Sequence, residues 1–198
     1  MLDYAERLAE APVENDLQRR RNMRFRNLRD RAFLLTLAYT GLRVHEACQM
    51  RRGDLDWNDG KAILIGKGDK QAVIRFSTRS LDALRDYLAA RAPLDSSARK
   101  PLGSLLLFLR HDPGVKKGGA TCGDSQFRPI STETGRDIVR LRVVEALGPA
   151  AAGTITPHSS RHYFVTIVLR SSGNLKVAQA LACHSNISTT SLYTHLVD

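Results

Sequence analysis

The sequence predicts a mainly α-helical domain with one small, three-stranded antiparallel β-sheet. Two observations favour this α+β class. Apolar residues recur at helical spacing over most of the chain, and the period changes to that of short strands between Asp54 and Ser77. The chain has 198 residues, of which 42% are hydrophobic, enough to bury one substantial core. We therefore expect a single folded domain.

The first strong helical pattern lies between Leu28 and Tyr39. Its apolar residues predict a buried helix. The helix should end at Thr40-Gly41, because glycine interrupts helical structure and marks turns. A second short helix is expected from about Arg43 to Met50.

Three short strands are predicted next, over Leu55–Trp57, Ala62–Ile65 and Ala72–Phe76. The segments between them, Asn58–Gly60 and Gly66–Lys70, are rich in glycine, asparagine and aspartate. These residues tolerate the positive φ angles of tight hairpin turns. The strands should therefore pair as consecutive hairpins.

The segment after the sheet predicts an amphipathic helix over Ser80–Ala92, ended by Pro93. Beyond it the pattern weakens. Leu105–Leu109 is interpreted as an apolar strand or core run, and Gly114–Gly123 as a mobile loop.

The C-terminal third predicts helices again. One is expected over Thr132–Leu147, and another over His158–Ser171, stopping before Gly173, which suits a helix cap. Two shorter helices are expected over Leu175–Ala182 and Ser188–Leu196.

The charge of the chain favours a polyanionic partner. Lys and Arg total 30 against 20 Asp and Glu, a formal net charge of +10. Nucleic acid is the first candidate and an anionic membrane the second. Between Leu17 and Arg31 stand seven arginines against a single acid, Asp30. Such a run is typical of a solvated helix face as well as of a nucleic-acid contact, so alone it decides little.

The cysteines and the hydropathy indicate an ordinary cytoplasmic protein. Cys48, Cys122 and Cys183 are odd in number and widely spaced, which argues against a disulfide framework and fits a reducing cytoplasm. No apolar run approaches the roughly 20 residues of a membrane span, and the N-terminus lacks the layout of a signal peptide. We expect a soluble protein without membrane contact.

Four short motifs in a fixed order carry the functional information. Together they resemble the tyrosine recombinases, the phage-integrase family, over roughly Leu28 to Leu196. Any one of them alone would be weak. The motifs are Thr40-Gly41-Leu42-Arg43-Val44-His45-Glu46, Gly66-Lys67-Gly68-Asp69-Lys70, His158-Ser159-Ser160-Arg161-His162, and Leu181-Ala182-Cys183-His184 running on to Tyr193.

The resemblance implies a site that holds one backbone phosphate. Arg43, Arg161 and His184 match the family's phosphate ligands. Positive charge and hydrogen-bond donors are needed there because the transition state spreads negative charge over the non-bridging oxygens. A guanidinium presents a planar fork of donors and keeps its charge. Without this context, Arg43 would be interpreted as an ordinary surface arginine and Arg161 as an ion-paired helix residue.

The resemblance also implies the chemical roles of the remaining residues. Tyr193 matches the nucleophile, whose attack forms a 3′-phosphotyrosyl ester. Lys67 matches the acid that protonates the leaving 5′ oxygen, with Lys70 its neighbouring competitor. His158 would manage the tyrosine proton, and Glu46 would orient the region of Arg43. Three further tyrosines, Tyr39, Tyr87 and Tyr163, are interpreted as packing residues.

The family resemblance implies an organisation and partners. Residues 28–198 would form the catalytic domain and residues 1–27 a basic linker or helix, with the family's N-terminal DNA-clamping domain absent. The expected substrate is double-stranded DNA, cleaved and rejoined without any cofactor or metal. Full recombination would need several subunits, a tetramer with DNA.

Three rival interpretations stay open. A zinc protein could use His158 and His162 with Cys183-His184, although Arg161 would repel the metal. A non-enzymatic DNA-binding module could use the arginine-rich stretch and a helix in the major groove. A type IB topoisomerase would carry nearly the same catalytic set.

Overall fold

The computed structural model describes residues 1–8, 17–65, 71–98, 100–111 and 128–181. Within them the chain is mainly helical and forms one three-stranded antiparallel sheet of order β1-β2-β3, as predicted. The elements are α1 Leu2–Arg7, α2 Leu17–Thr40, α3 Val44–Gln49, β1 Leu55–Asp56, β2 Lys61–Ile65, β3 Gln71–Arg75, α4 Thr78–Asp95, α5 Thr132–Leu147, α6 Pro157–Ser172 and α7 Leu175–Leu181.

Helix α2 begins earlier than the apolar pattern indicates, so the arginine-rich stretch is helical. Arginine is a good helix former, and Phe25 in this stretch is buried. The helix therefore runs unbroken through residue 28, where a boundary was expected. Ala5 and Leu8, from the first residues of the chain, also belong to the main core. Residues on both sides of that boundary thus share one core.

The sheet follows the predicted hairpins. Ile63 of β2 pairs with Val73 of β3, and Leu55 of β1 pairs with Ala62 of β2. The buried sides of Ala62 and Ile74 join the main core. The turn with Lys67, between β2 and β3, lies outside the described residues.

Helix α4 corrects one prediction, because Pro93 does not end it. The proline lies inside the last turn, and the helix continues to Asp95. Arg91 donates from Nε to the Asp95 carboxylate at 3.0 Å, which ties this last turn together. The apolar run Leu105–Leu109 is a core run with isolated bridges and not a regular strand.

The C-terminal helices lie where the sequence places them. Helix α5 has the predicted bounds, and α6 ends at Gly173, whose φ of +61° is the left-handed conformation expected of a cap. Helix α7 confirms most of the next prediction and packs on α6 and on β3. The predicted loop at 114–123 and the predicted helix at 188–196 lie outside the described residues.

A buried ion-pair network fixes α5 against α2. Arg142 of α5 donates to both Asp30 and Asn27 of α2, each at 2.7 Å from Nη2. Its Nη1 also donates to Glu145 at 2.7 Å, and Tyr4 of α1 donates to the same carboxylate at 2.8 Å. Because a buried charge needs partners, this network sets the position of α5, which forms one wall of the site described below.

None of the helices in the described part of the chain combines the length and the hydropathy that a membrane crossing requires.

Candidate active site

The C-terminus of α2 forms a tight turn that leads into the first motif. Gly41 has a φ of +66°, and its N–H donates to the Leu37 carbonyl at 3.2 Å, closing the helix. The Leu42 N–H donates to the Thr40 hydroxyl at 3.3 Å. Leu42 is buried, so the turn is anchored in the core immediately before Arg43.

Arg43 stands at the N-terminus of α3 and is held by Glu46. Its backbone N–H donates to Glu46 Oε2 at 2.7 Å, and its Nη1 donates to Oε1 at 3.0 Å. The Arg43 side chain is nevertheless 44% exposed. Glu46 thus orients the arginine, as the sequence predicts, and leaves it accessible to a ligand.

Arg161 reaches the same turn from α6. Its Nη1 donates to the carbonyl of Gly41, and the residue is only 5% exposed. One turn further along α6, the ring of Phe164 lies so close to Gly41 that a Cβ atom there would overlap it. The contact needs glycine at this position, and it joins the first and third motifs directly.

The N-terminus of α6 presents His158 next to the turn. Thr156 caps the helix by accepting the Ser159 N–H at 3.3 Å, and Pro157 occupies the first helical position, which needs no N–H donor. The helix therefore begins at a defined residue. His158 lies in its first turn, three positions before Arg161 and on the same side.

A second histidine packs against His158. The rings of His158 and His162 meet edge to face with centroids 4.3 Å apart. Burial, then the nearby His158 and Arg161, lower the pKa of His162, which favours its neutral form. Among the residues that the structure describes, no group of three His, Cys, Asp or Glu side chains could hold a metal ion. Cys183 and His184, the other members of the rival zinc site, lie outside them.

These segments surround one cleft of about 480 Å³. Walls from α3, α5 and the start of α6 enclose it, and no carboxylate is among its described lining residues. Such a cleft suits an anion of the size of a phosphodiester. Its basic lining residues are Arg43, His45, Arg136, Arg140, His158 and Arg161.

Sequence reasoning missed three of these basic residues. Arg136 and Arg140 lie on α5, where each also pairs with an acid three positions earlier, Glu133 at 3.4 Å and Asp137 at 3.1 Å. Their i, i+4 spacing was a signal that both face one side of a helix. His45 lies within the first motif, but the family resemblance implies no role for it.

Three predicted site residues, Lys67, His184 and Tyr193, lie outside the described residues. The structure therefore brings together Arg43, His158 and Arg161 of the predicted set.

The other four tyrosines of the chain are described, and none of them lines the cleft. Tyr87 is fully buried and Tyr39 packs on the core, as predicted. Tyr163 corrects the third packing prediction, because it is 40% exposed. Tyr4 is bound to Glu145.

Comparison with known sequences finds one family. The model of the phage integrase family matches residues 7–198. The tyrosine recombinase XerC of Thermodesulfovibrio yellowstonii is 31% identical over 195 residues, which cover 98% of this chain and 56% of that protein. The XerC of Halalkalibacterium halodurans is 33% identical, with 85% of this chain and 50% of that protein covered. The chain thus spans about half the length of the curated relatives it matches.

Comparison with solved structures finds the same architecture. The crystal structure of XerA recombinase superposes with a TM-score of 0.67 at 28% identity, covering 99% of this chain and 59% of that chain. The XerH site-specific recombinase, in a post-cleavage complex with its difH substrate, gives a TM-score of 0.70 at 18% identity, covering 100% and 48%. At that lower identity the second match speaks for the fold alone.

Proposed function

The chain belongs to the phage integrase family, and from this premise we propose that it is the catalytic part of a site-specific DNA recombinase. It would cleave and rejoin DNA strands through a 3′-phosphotyrosine intermediate. The proposed substrate is double-stranded DNA, bound in the cleft between α3, α5 and α6.

The observation that carries this proposal is the contact between the first and third motifs. Arg161 donates to the carbonyl of Gly41, two residues before Arg43, and both arginines line one cleft. Two guanidinium groups in such a cleft can bind the non-bridging oxygens of a single phosphate. His158 supplies a third group at the same place.

The proposed reaction is a transesterification. The Tyr193 oxygen attacks the scissile phosphorus, the bond from phosphorus to the 5′ oxygen breaks, and a phosphotyrosyl ester remains on the 3′ side. His158 takes the tyrosine proton, and Lys67 gives a proton to the leaving 5′ oxygen. Arg43, Arg161 and His184 stabilise the charge of the transition state. Attack by the 5′ hydroxyl of another strand reverses these steps and restores Tyr193.

Support for Tyr193 as the nucleophile comes from its place in the fourth motif and from the other tyrosines. All four of them are described, and none lines the cleft.

The proposal extends to the assembly and the location of the protein. We infer that full recombination requires several subunits, a tetramer on two duplexes, acting in the cytoplasm. The surrounding arginines, Arg136 and Arg140, would bind backbone phosphates on either side of the scissile one.

The test is trapping of the covalent intermediate. The chain is incubated with a nicked duplex that prevents rejoining, and the products are separated by denaturing electrophoresis. We expect a covalent protein–DNA adduct with the parent chain and none with Tyr193→Phe. Tyr163→Phe is the matched control, because this exposed tyrosine does not line the cleft, and it should retain the adduct. Equal adduct from Tyr193→Phe and the parent would refute the assignment.

A further inference from the structure

His45 holds a place in the cleft that the proposed mechanism does not use. It lies in the first turn of α3, two residues after Arg43, and its side chain is exposed on the cleft wall. None of the proposed steps requires an imidazole at this position, so the role of His45 is a separate question.

The packing of α3 on α5 explains how His45 comes to face the arginines of the opposite wall. A Cβ atom on Gly135 would come within 2.7 Å of Val44 Cγ2 and 3.2 Å of Cys48 Sγ, so the two helices approach closely at the glycine. The residues that follow these contact points in the sequence, His45 after Val44 and Arg136 after Gly135, both line the cleft. The close contact thus brings their two walls together.

The ionisable groups around His45 come from three elements and are mostly basic, although Arg136 and Arg140 are each paired with an acid of α5, Glu133 and Asp137. Arg43 and Glu46 belong to its own turn, where Glu46 is engaged by Arg43. The opposite walls contribute Arg136 and Arg140 from α5, and His158 and Arg161 from α6. A phosphate that binds among these groups would find the imidazole N–H of His45 as a further hydrogen-bond donor on the cleft wall.

We propose that His45 is a further DNA-binding residue of this cleft, whose imidazole N–H donates to a backbone phosphate adjacent to the scissile one. This inference rests on the proposed function and adds one phosphate contact to it. A side chain at position 45 that keeps an N–H donor should therefore keep the affinity for DNA, and one without a donor should lower it.

The experiment measures the dissociation constant of the full chain for a fluorescent duplex at one pH and constant ionic strength. His45→Ala removes the donor and should weaken binding by roughly three- to tenfold, the loss expected for one hydrogen bond. His45→Gln keeps an N–H donor and should retain most of the parent's affinity. His45→Lys places a charged donor at the same position and should bind at least as tightly as the parent.

Gln49→Ala is the matched control, because Gln49 is an exposed polar residue of the same helix that does not line the cleft. It should keep the affinity of the parent.

The outcomes distinguish this inference from the proposed function. If the parent forms the covalent adduct but His45→Ala keeps the parent's affinity, His45 is not a DNA ligand. An equal loss of affinity in His45→Ala and His45→Gln overturns the inference as well, because the glutamine keeps a donor. If the parent forms no adduct and binds no duplex, the proposed function itself fails.

Discussion

Arg43 and Arg161 line the same cleft in different surroundings. The Arg43 side chain is 44% exposed and pairs with Glu46 at the surface, whereas Arg161 is buried and bonded to the backbone of Gly41. A surface ion pair contributes little to stability. Removing a buried donor leaves its acceptor unsatisfied and lowers the free energy of unfolding. The two arginines therefore belong to the same proposed site, but we expect them to contribute unequally to stability.

Replacing each arginine by alanine tests this difference. We expect both variants to form the covalent adduct about 10²–10³-fold more slowly, because each loses a donor to the transition state. Arg43→Ala should change the free energy of unfolding by no more than about 0.5 kcal/mol. Arg161→Ala should lower it by about 1–3 kcal/mol, since the Gly41 carbonyl loses its partner. Urea unfolding and single-turnover adduct formation give the two quantities.

The surface arginine Arg85 provides the control for Arg43. It is 52% exposed and pairs with Asp82 three positions away, but it does not line the cleft. Arg85→Ala should leave both adduct formation and stability unchanged. Loss of stability in Arg43→Ala as large as in Arg161→Ala would contradict the distinction.

Single residues were predictable from the sequence only where a motif named them. The motifs identified Arg43, His158 and Arg161, which the structure places together. Arg136 and Arg140 were not predicted as cleft residues, because charged residues beside acids on a helix are typical of an ordinary solvated face. Only the packing of α5 against α3 decides that this face lines a cleft.

At the scale of elements, the junction between the end of α2 and the middle of α6 determines the geometry of the site. Gly41 has a left-handed backbone and no room for a Cβ atom beside the Phe164 ring. These two constraints are independent, because one belongs to the backbone of the turn and the other to the neighbouring helix.

Gly41→Ala separates the two constraints when it is combined with a smaller residue at position 164. Alone, Gly41→Ala should lower the free energy of unfolding by about 1–2 kcal/mol because of the left-handed backbone. The overlap of its Cβ atom with the Phe164 ring should lower it further. In a Phe164→Ala background only the backbone part should remain, so the cost falls. Thermal or urea unfolding of the four chains in this cycle measures the difference. An equal cost in both backgrounds would show that the ring does not constrain the turn.

Elements were predictable where the apolar period and the caps agree. For α5 the predicted and observed bounds coincide, because Ser131 caps its start and Gly148 its end. The first half of α2 was not predicted, because its arginines obscure the apolar pattern even though arginine favours helix. Pro93 predicted an end of α4 that is too early. A proline in the last turn need not end a helix when Asp95 and Arg91 bond across it.

At the scale of the whole molecule, the arginines that contribute to the net charge of +10 lie in two kinds of surroundings. Part of this charge serves the fold, because Arg29 and Arg142 are buried and paired with Asp30. Arg136 and Arg140 on the cleft wall, in contrast, remain exposed. Only exposed cations can displace counterions from DNA, so the position of the charge predicts binding better than its total.

The salt dependence of DNA binding tests which arginines contact phosphate. Arg140→Ala should reduce the slope of log affinity against log salt by about 0.9, the contribution of one phosphate contact on duplex DNA. Arg85→Ala should leave the slope unchanged, because it removes an exposed arginine paired with an aspartate at the same spacing but outside the cleft. Filter binding or fluorescence anisotropy over a range of salt concentrations provides the slopes. Equal slopes for the two variants would contradict a special role for the cleft.

The bond between Arg161 and Gly41 joins residues that are 120 positions apart in the chain. During translation, the ribosome therefore releases the turn long before the helix that completes it. A nascent polypeptide that has folded its first hundred or so residues still lacks the second guanidinium. The proposed phosphate site can therefore form only after α6 has been synthesised, and a product that ends before α6 would lack it.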